Sequence, residues 1–260
     1  MHVYIVYFLI AIGATTIGAL TGMGGGVIIK PLCDIMGHYD PQTIGVLSCV
    51  TVFAMALVSL AKQIRQKANL EFTISLPLSI GSVAGGMFGQ RILEWIAADA
   101  LDSCITVIQN IVLAVIIGVV FWYMLHKEKI PKLHLKGLAA SVLSGGGLGF
   151  ISSFLGIGGG PINVALIIFL FSVSTKTATI CSIFTILFAQ VAKLGTIAAG
   201  GGFAGYDLSV MPVMIAGAVL GGFIGAKLNK ELDEKSIERS FNAVQLLVLS
   251  MCVLNIVRNL

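Results

Sequence analysis

Gly22-Met23-Gly24-Gly25-Gly26 lies deep inside an uncharged apolar run, and Gly156-Ile157-Gly158-Gly159-Gly160 lies in another. A continuous helix resists such clusters, because each interior glycine costs roughly 1 kcal/mol against alanine. In lipid, backbone groups freed by a broken helix persist only where they are buried in protein or line a watery cavity. A helix interrupted at corresponding places in two halves of a membrane chain points to a transporter's binding site. The two runs are therefore expected to form opposite lips of one central site.

Composition supports a membrane setting. Of 260 residues, 57% are apolar and 11% charged, against about 25% charged in soluble domains. The expected class is an all-α polytopic membrane protein, multi-pass in the cell (inner) membrane, with the lipid bilayer as its solvent. Met1-His2-Val3-Tyr4 lacks the basic start of a cleaved signal peptide and reads as the first membrane segment. The net charge of +4 is scattered over loops, which excludes a nucleic-acid partner. Five cysteines (33, 49, 104, 181 and 252) show no CxxC or metal spacing and read as buried apolar residues. Cys49 and Cys181 adjoin the serines discussed below and could also meet a sulfur-containing substrate.

The run from Gly137 to Thr175 is uncharged for 39 residues, nearly 60 Å as one helix at about 1.5 Å per residue. The bilayer core is only about 30 Å thick, so this run must turn, and Gly158–Gly160 is where it can. The same logic breaks the first segment near Gly24–Gly26. Short arms should follow, Val27–Met36 and Pro161–Ser172, giving 8–10 membrane segments with helices broken at the GxGGG runs.

The chain also repeats. At an offset of 134 residues, the first glycine run matches the second, and Thr43, Ser48 and Thr51 match Thr177, Ser182 and Thr185. At 136, Glu71 matches Asp207, and Gly81, Gly85, Gly86 and Gly89 match Gly217, Gly221, Gly222 and Gly225. Two homologous repeats are expected, residues 1–130 and 131–260. The later glycines have the spacing of close helix packing. If each half crosses an odd number of times, twelve Lys and Arg face the cytoplasm and only Arg91 and Arg258 lie outside, leaving Lys30 and Lys193 at membrane depth. If each half crosses four times, the best split is 9 against 7. The positive-inside rule favours the odd count, hence inverted repeats.

A GxGGG run with Pro31 a few residues on, Ser48, Glu71 with Gly85-Gly86, then the second run, Ser182 and Asp207 with Gly221-Gly222 together resemble the TauE/SafE family, also called TSUP transporters. The resemblance covers nearly the whole chain. Two departures stand out. Pro161 directly follows Gly160, while Ala165 stands where the family usually has proline, and Leu47 and Cys181 replace the family's threonine before each serine. The resemblance implies movement, often outward, of small sulfur-containing anions such as sulfite, thiosulfate or organosulfonates. It implies no enzymatic activity and no redox cofactor.

An anion at the bilayer midplane needs donors that are cheap to bury, and backbone N–H groups at a helix start provide them. Gly24, Gly25, Gly26, Gly158, Gly159 and Gly160 would present such groups and let an oxyanion approach closely. Ser48 with Thr51 and Ser182 with Thr185 form matching i, i+3 hydroxyl pairs, which either bind substrate or bond back to their own helix. Asn163 and Gln190 are amides in apolar surroundings, available to substrate or to a neighbouring helix. Lys193 and Lys30 are cations near membrane depth, suited to an anion path or to snorkelling. Glu71 and Asp207 stand where an acid meets a helix dipole.

No Asp or Glu lies inside the uncharged runs. Uncoupled export follows as an expectation, since an inside-negative potential favours an outgoing anion by about 2.3 kcal/mol per charge per 100 mV. His2, His38, His126 and His134 fall at segment ends and offer no buried dyad for an intramembrane enzyme. An anion channel shares the same glycine and amide logic. Association into a homo-oligomer stays open.

Overall fold

The computed structural model describes residues 2–97, 102–135, 137–155, 157 and 160–259. Among them are ten α-helices and no strand: α1 His2–Thr21, α2 Gly26–Met36, α3 Pro41–Arg65, α4 Phe72–Ala97, α5 Asp102–His126, α6 Leu138–Phe154, α7 Pro161–Phe171, α8 Thr175–Ala199, α9 Met211–Glu231 and α10 Glu234–Asn259. Seven are long and apolar enough to cross a membrane, all but α2, α6 and α7. The expected arms are α2 and α7, each of 11 residues, about 16 Å. Neither spans a bilayer, so each leads from the protein interior to one end of the bundle.

Local chemistry sets these boundaries. Asp40 caps α3 by accepting from the Gln42 and Thr43 amides at 3.0 and 2.9 Å, with Pro41 in the first turn. Ser174 caps α8 by accepting from the Thr177 amide at 3.2 Å. Gly25 and Gly160 stand at the N-caps of α2 and α7, where no side chain caps the helix. Asp207 lies four residues ahead of α9, in an exposed turn where it accepts from the Ser209 amide at 3.0 Å. It therefore sits further from the helix start than Glu71, which directly precedes α4.

The spaced glycines do pack helices. A Cβ at Gly81, Gly85 or Gly89 of α4 would come within 1.9, 1.9 or 2.5 Å of the Val142, Gly146 or Phe150 carbonyl oxygen on α6. On α9, a Cβ at Gly221 or Gly225 would fall 2.1 Å from Thr15 Oγ1 or 2.3 Å from the Thr16 carbonyl of α1. The backbones touch there, so no side chain fits. Helix α1 thus lies against α9, and α6 against α4, while α3 and α8 cross between them.

The two ends of the bundle are distinguishable. Tyr39 Oη meets Ser209 Oγ at 3.2 Å, joining the α2–α3 and α8–α9 connections at one end. At the other, Asn69, Lys176, Lys230 and Glu234 line one pocket, and Lys127 pairs with Glu238. Helix α3 therefore runs from the Tyr39 end to the Lys176 end, and α8 runs back. The two are antiparallel.

Candidate functional site

Helix α1 stops at Thr21 because the next residues turn. Gly24 and Gly25 have φ of +85° and +73°, a left-handed conformation that side chains resist. The turn is buried throughout. It is pinned from the second half of the chain: Ser182 Oγ on α8 donates to the Gly22 carbonyl at 2.7 Å, and Asn229 Nδ2 on α9 donates to the Leu20 carbonyl at 2.7 Å. Thr179 Oγ1 donates to its own helix at Thr175 and reaches the Thr21 carbonyl at 3.4 Å. These bonds satisfy carbonyls that the end of α1 leaves open. Asn229 and Thr179 were not singled out from the sequence, and Asn229, between Lys227 and Lys230, carries no local signal of burial.

The first turn of α2 begins where the two glycine runs approach one another. A Cβ at Gly26 would lie 2.1 Å from the Ile157 carbonyl oxygen and 3.0 Å from Ser48 Oγ. Gly26, Ile157 and Ser48 of α3 are thus in contact. Ser48 is 1% exposed, and its hydroxyl has no hydrogen-bond partner among the described residues. A buried hydroxyl left unpaired costs about 1–3 kcal/mol, so Ser48 is a donor waiting for an acceptor. Gly160 adopts an extended backbone and starts α7 with Pro161 in the first turn. Gly158 and Gly159, expected beside it, lie outside the described residues, as does Gly156. Asn163, in the first turn of α7, is 2% exposed with Oδ1 lacking a partner among the described residues.

Other expected residues line the seam between α3 and α8. Cys49 Sγ contacts the Gln190 carbonyl at 3.9 Å, and Lys193 Nζ lies 3.8 Å from where a Cβ on Gly45 would stand. Gln190 and Lys193 are both buried. Thr51 and Thr185 behave differently. Each hydroxyl donates to its own helix, Thr51 to Leu47 at 2.6 Å and Thr185 to Cys181 at 2.9 Å. Their protons are engaged, and only their oxygen lone pairs face outward.

A cluster missed in the sequence sits one turn beyond Gly26. Lys30 and Asp34 of α2 share a gap with Gln109 and Asn110 of α5 and with Leu155. Asp34 therefore belongs to a buried arm, although the uncharged run before it ends at Ile29. Among the described residues, no group of three His, Cys, Asp or Glu is arranged to hold a metal.

The family model described as sulfite exporter TauE/SafE matches residues 7–251. The chain is 23% identical to a Bacillus subtilis (strain 168) protein named "Probable membrane transporter protein YunE", over 94% of this chain and 95% of that one. No solved structure matches.

Proposed function

The chain belongs to the sulfite exporter TauE/SafE family and is a membrane transporter, and we propose that it exports a small sulfur-containing oxyanion held between its two glycine runs. Sulfite, thiosulfate and organosulfonates are the candidate cargoes. One observation carries this reading. Two helix N-termini without side-chain caps, at Gly25 and Gly160, follow the two runs where Gly26 meets Ile157 beside the unpartnered hydroxyl of Ser48. Uncapped N–H groups and a hydroxyl donor suit an oxyanion without placing a full charge at its side. Gly24, Gly25, Gly26, Ser48, Gly158, Gly159, Gly160 and Asn163 form the proposed site, with Ser182 holding the first run through Gly22 and Thr51, Thr185, Gln190 and Lys193 along the α3–α8 seam.

Residues 1–130 and 131–260 form inverted repeats on this reading. The antiparallel course of α3 and α8 supports it, as does the exchange of partners that sets α1 on α9 and α6 on α4. The Lys176 end carries most of the basic residues and faces the cytoplasm by the positive-inside rule. Each glycine run is the tip of a hairpin entering from one side.

A flux panel in proteoliposomes tests the assignment. Sulfite, thiosulfate, methanesulfonate, sulfate and acetate are offered to the purified protein. Saturable flux of at least one reduced-sulfur or sulfonate anion, in preference to acetate, is expected. Flux that never saturates would mark a channel, and preference for acetate would remove the sulfur-anion reading.

A further inference from the structure

Helix α2 is 11 residues long and links two environments. Its first residue, Gly26, touches Ser48 and Ile157. Its end opens at Gly37, which is exposed. Lys30 lies about 6 Å along the axis from Gly26, and Asp34 about 12 Å, at 1.5 Å per residue. Four residues apart, both project from one face. Lys30 is 4% exposed. Ionisable groups at such depth in a membrane protein are costly and mark ion or proton paths.

The surroundings of Asp34 are polar but incomplete. Asn255 Nδ2 on α10 donates to Asn110 Oδ1 at 3.3 Å and to the Pro31 carbonyl at 3.3 Å. Asn110 in turn hydrogen-bonds the Asp34 carboxyl. The second carboxyl oxygen, Oδ2, is buried with no hydrogen-bond partner among the described residues. An ionised carboxylate so held is poorly compensated, and a proton on Oδ2 relieves the cost. Next to it, Gln109 Nε2 donates to the Phe154 carbonyl at 2.8 Å, the last residue of α6 before the second glycine run. The cluster therefore lies between residues flanking the two runs, Lys30 four residues after Gly26 and Leu155 directly before Gly156. Cys33 on α2 and Cys252 on α10 also face Asp34, and Arg258 of α10 donates to the Ile35 carbonyl. The arm α7 has nothing comparable: the positions matching Lys30 and Asp34 are Val164 and Ile168.

We infer that Asp34 is a proton-binding site, loaded together with the anion through Lys30. The inference rests on an anion bound between the glycine runs. In the empty carrier the Lys30 ammonium is balanced by the Asp34 carboxylate. When an anion arrives one turn away, Lys30 turns to it and Asp34 takes a proton from solvent at the Gly37 end. The carboxylate becomes a carboxylic acid, Lys30 stays an ammonium, and a monoanion adds no net charge to the buried site. One proton then travels with each anion, which replaces charge-moving export by movement of the neutral equivalent.

The test uses full-length protein in proteoliposomes holding a trapped pH dye, with thiosulfate and methanesulfonate as probes. Both are anions of strong acids and carry no proton across lipid unaided. Wild type should acidify the compartment the anion enters, one proton per anion. Anion affinity should weaken about tenfold per pH unit above the Asp34 pKa, the slope of one linked proton. Asp34→Asn should abolish both the acidification and the pH slope while retaining anion exchange, and Asp34→Glu should restore them. Anion flux in wild type without proton movement would overturn the inference, as would proton movement persisting in Asp34→Asn. If Asp34→Asn does not fold, the wild-type proton-to-anion ratio decides. Absence of flux of either probe in wild type would instead sink the anion assignment on which the inference stands.

Discussion

Ser48 and Ser182 are equivalent in sequence and differ in what they touch. Ser182 Oγ is committed to the Gly22 carbonyl, whereas Ser48 Oγ has no partner among the described residues and faces Gly26. Replacement by alanine should separate the two roles. Ser182→Ala leaves a buried carbonyl short of a donor and should cost about 1 kcal/mol of stability, read as a lower unfolding temperature in detergent. Ser48→Ala removes an unsatisfied group and should leave stability unchanged or slightly raised, while weakening anion affinity severalfold. Equal stability losses in both would make Ser48 a structural residue. The pairing at 134 residues placed both serines at equivalent positions. It did not show that one had become a strut, because a side chain's partner depends on which helix crosses it. Thr51 and Thr185 make the same point: spacing put their hydroxyls on the right face, and only the rotamer reveals that both protons return to their own helix.

Among the elements, α4 and α9 were the most legible. Their glycines recur at helical spacing, and Gly81, Gly85, Gly89, Gly221 and Gly225 meet a neighbouring helix with no room for a methyl group. Gly85→Ala would place a Cβ 1.9 Å from the Gly146 carbonyl oxygen and should pry α4 from α6, costing a few kcal/mol in the manner of overpacking. Gly118→Ala on α5 meets nothing within 4 Å and should gain up to about 1 kcal/mol of helix propensity. Thermal unfolding of the two variants checks this pair, and similar midpoints would show that the α4–α6 seam is looser than its backbone contacts imply. The arm α2 was least legible. Its course was expected over Val27–Met36 and the helix runs Gly26–Met36, but nothing near Lys30 and Asp34 in sequence shows what surrounds them. What buries them is Asn110, Gln109 and Asn255 from two distant helices. No local pattern announces such a contact.

At the scale of the whole molecule, composition gave the membrane class. The packing gives a reason for the glycine runs to lie together. Helices α1 and α6 are each held by a glycine-lined helix of the other half, so their tips converge where Gly26 meets Ile157. The tips differ in how much they tolerate. A Cβ at Gly25 would sit 3.0 Å from the Ala14 carbonyl at a φ of +73°, so a side chain there breaks the turn itself. Gly160 has an extended backbone and only the Ile157 Cδ1 at 3.2 Å, the flexible end of a side chain. Gly160→Ala therefore tests the site without dismantling the fold. The decisive measurement is equilibrium binding of the preferred anion of the flux panel to wild type and to Gly160→Ala, each with its unfolding temperature recorded. A methyl group at the start of α7 should crowd the oxyanion away from the N–H groups and weaken binding tenfold or more, with unfolding within a few degrees of wild type. Wild-type affinity in a folded Gly160→Ala protein would contradict an anion held between the two glycine runs.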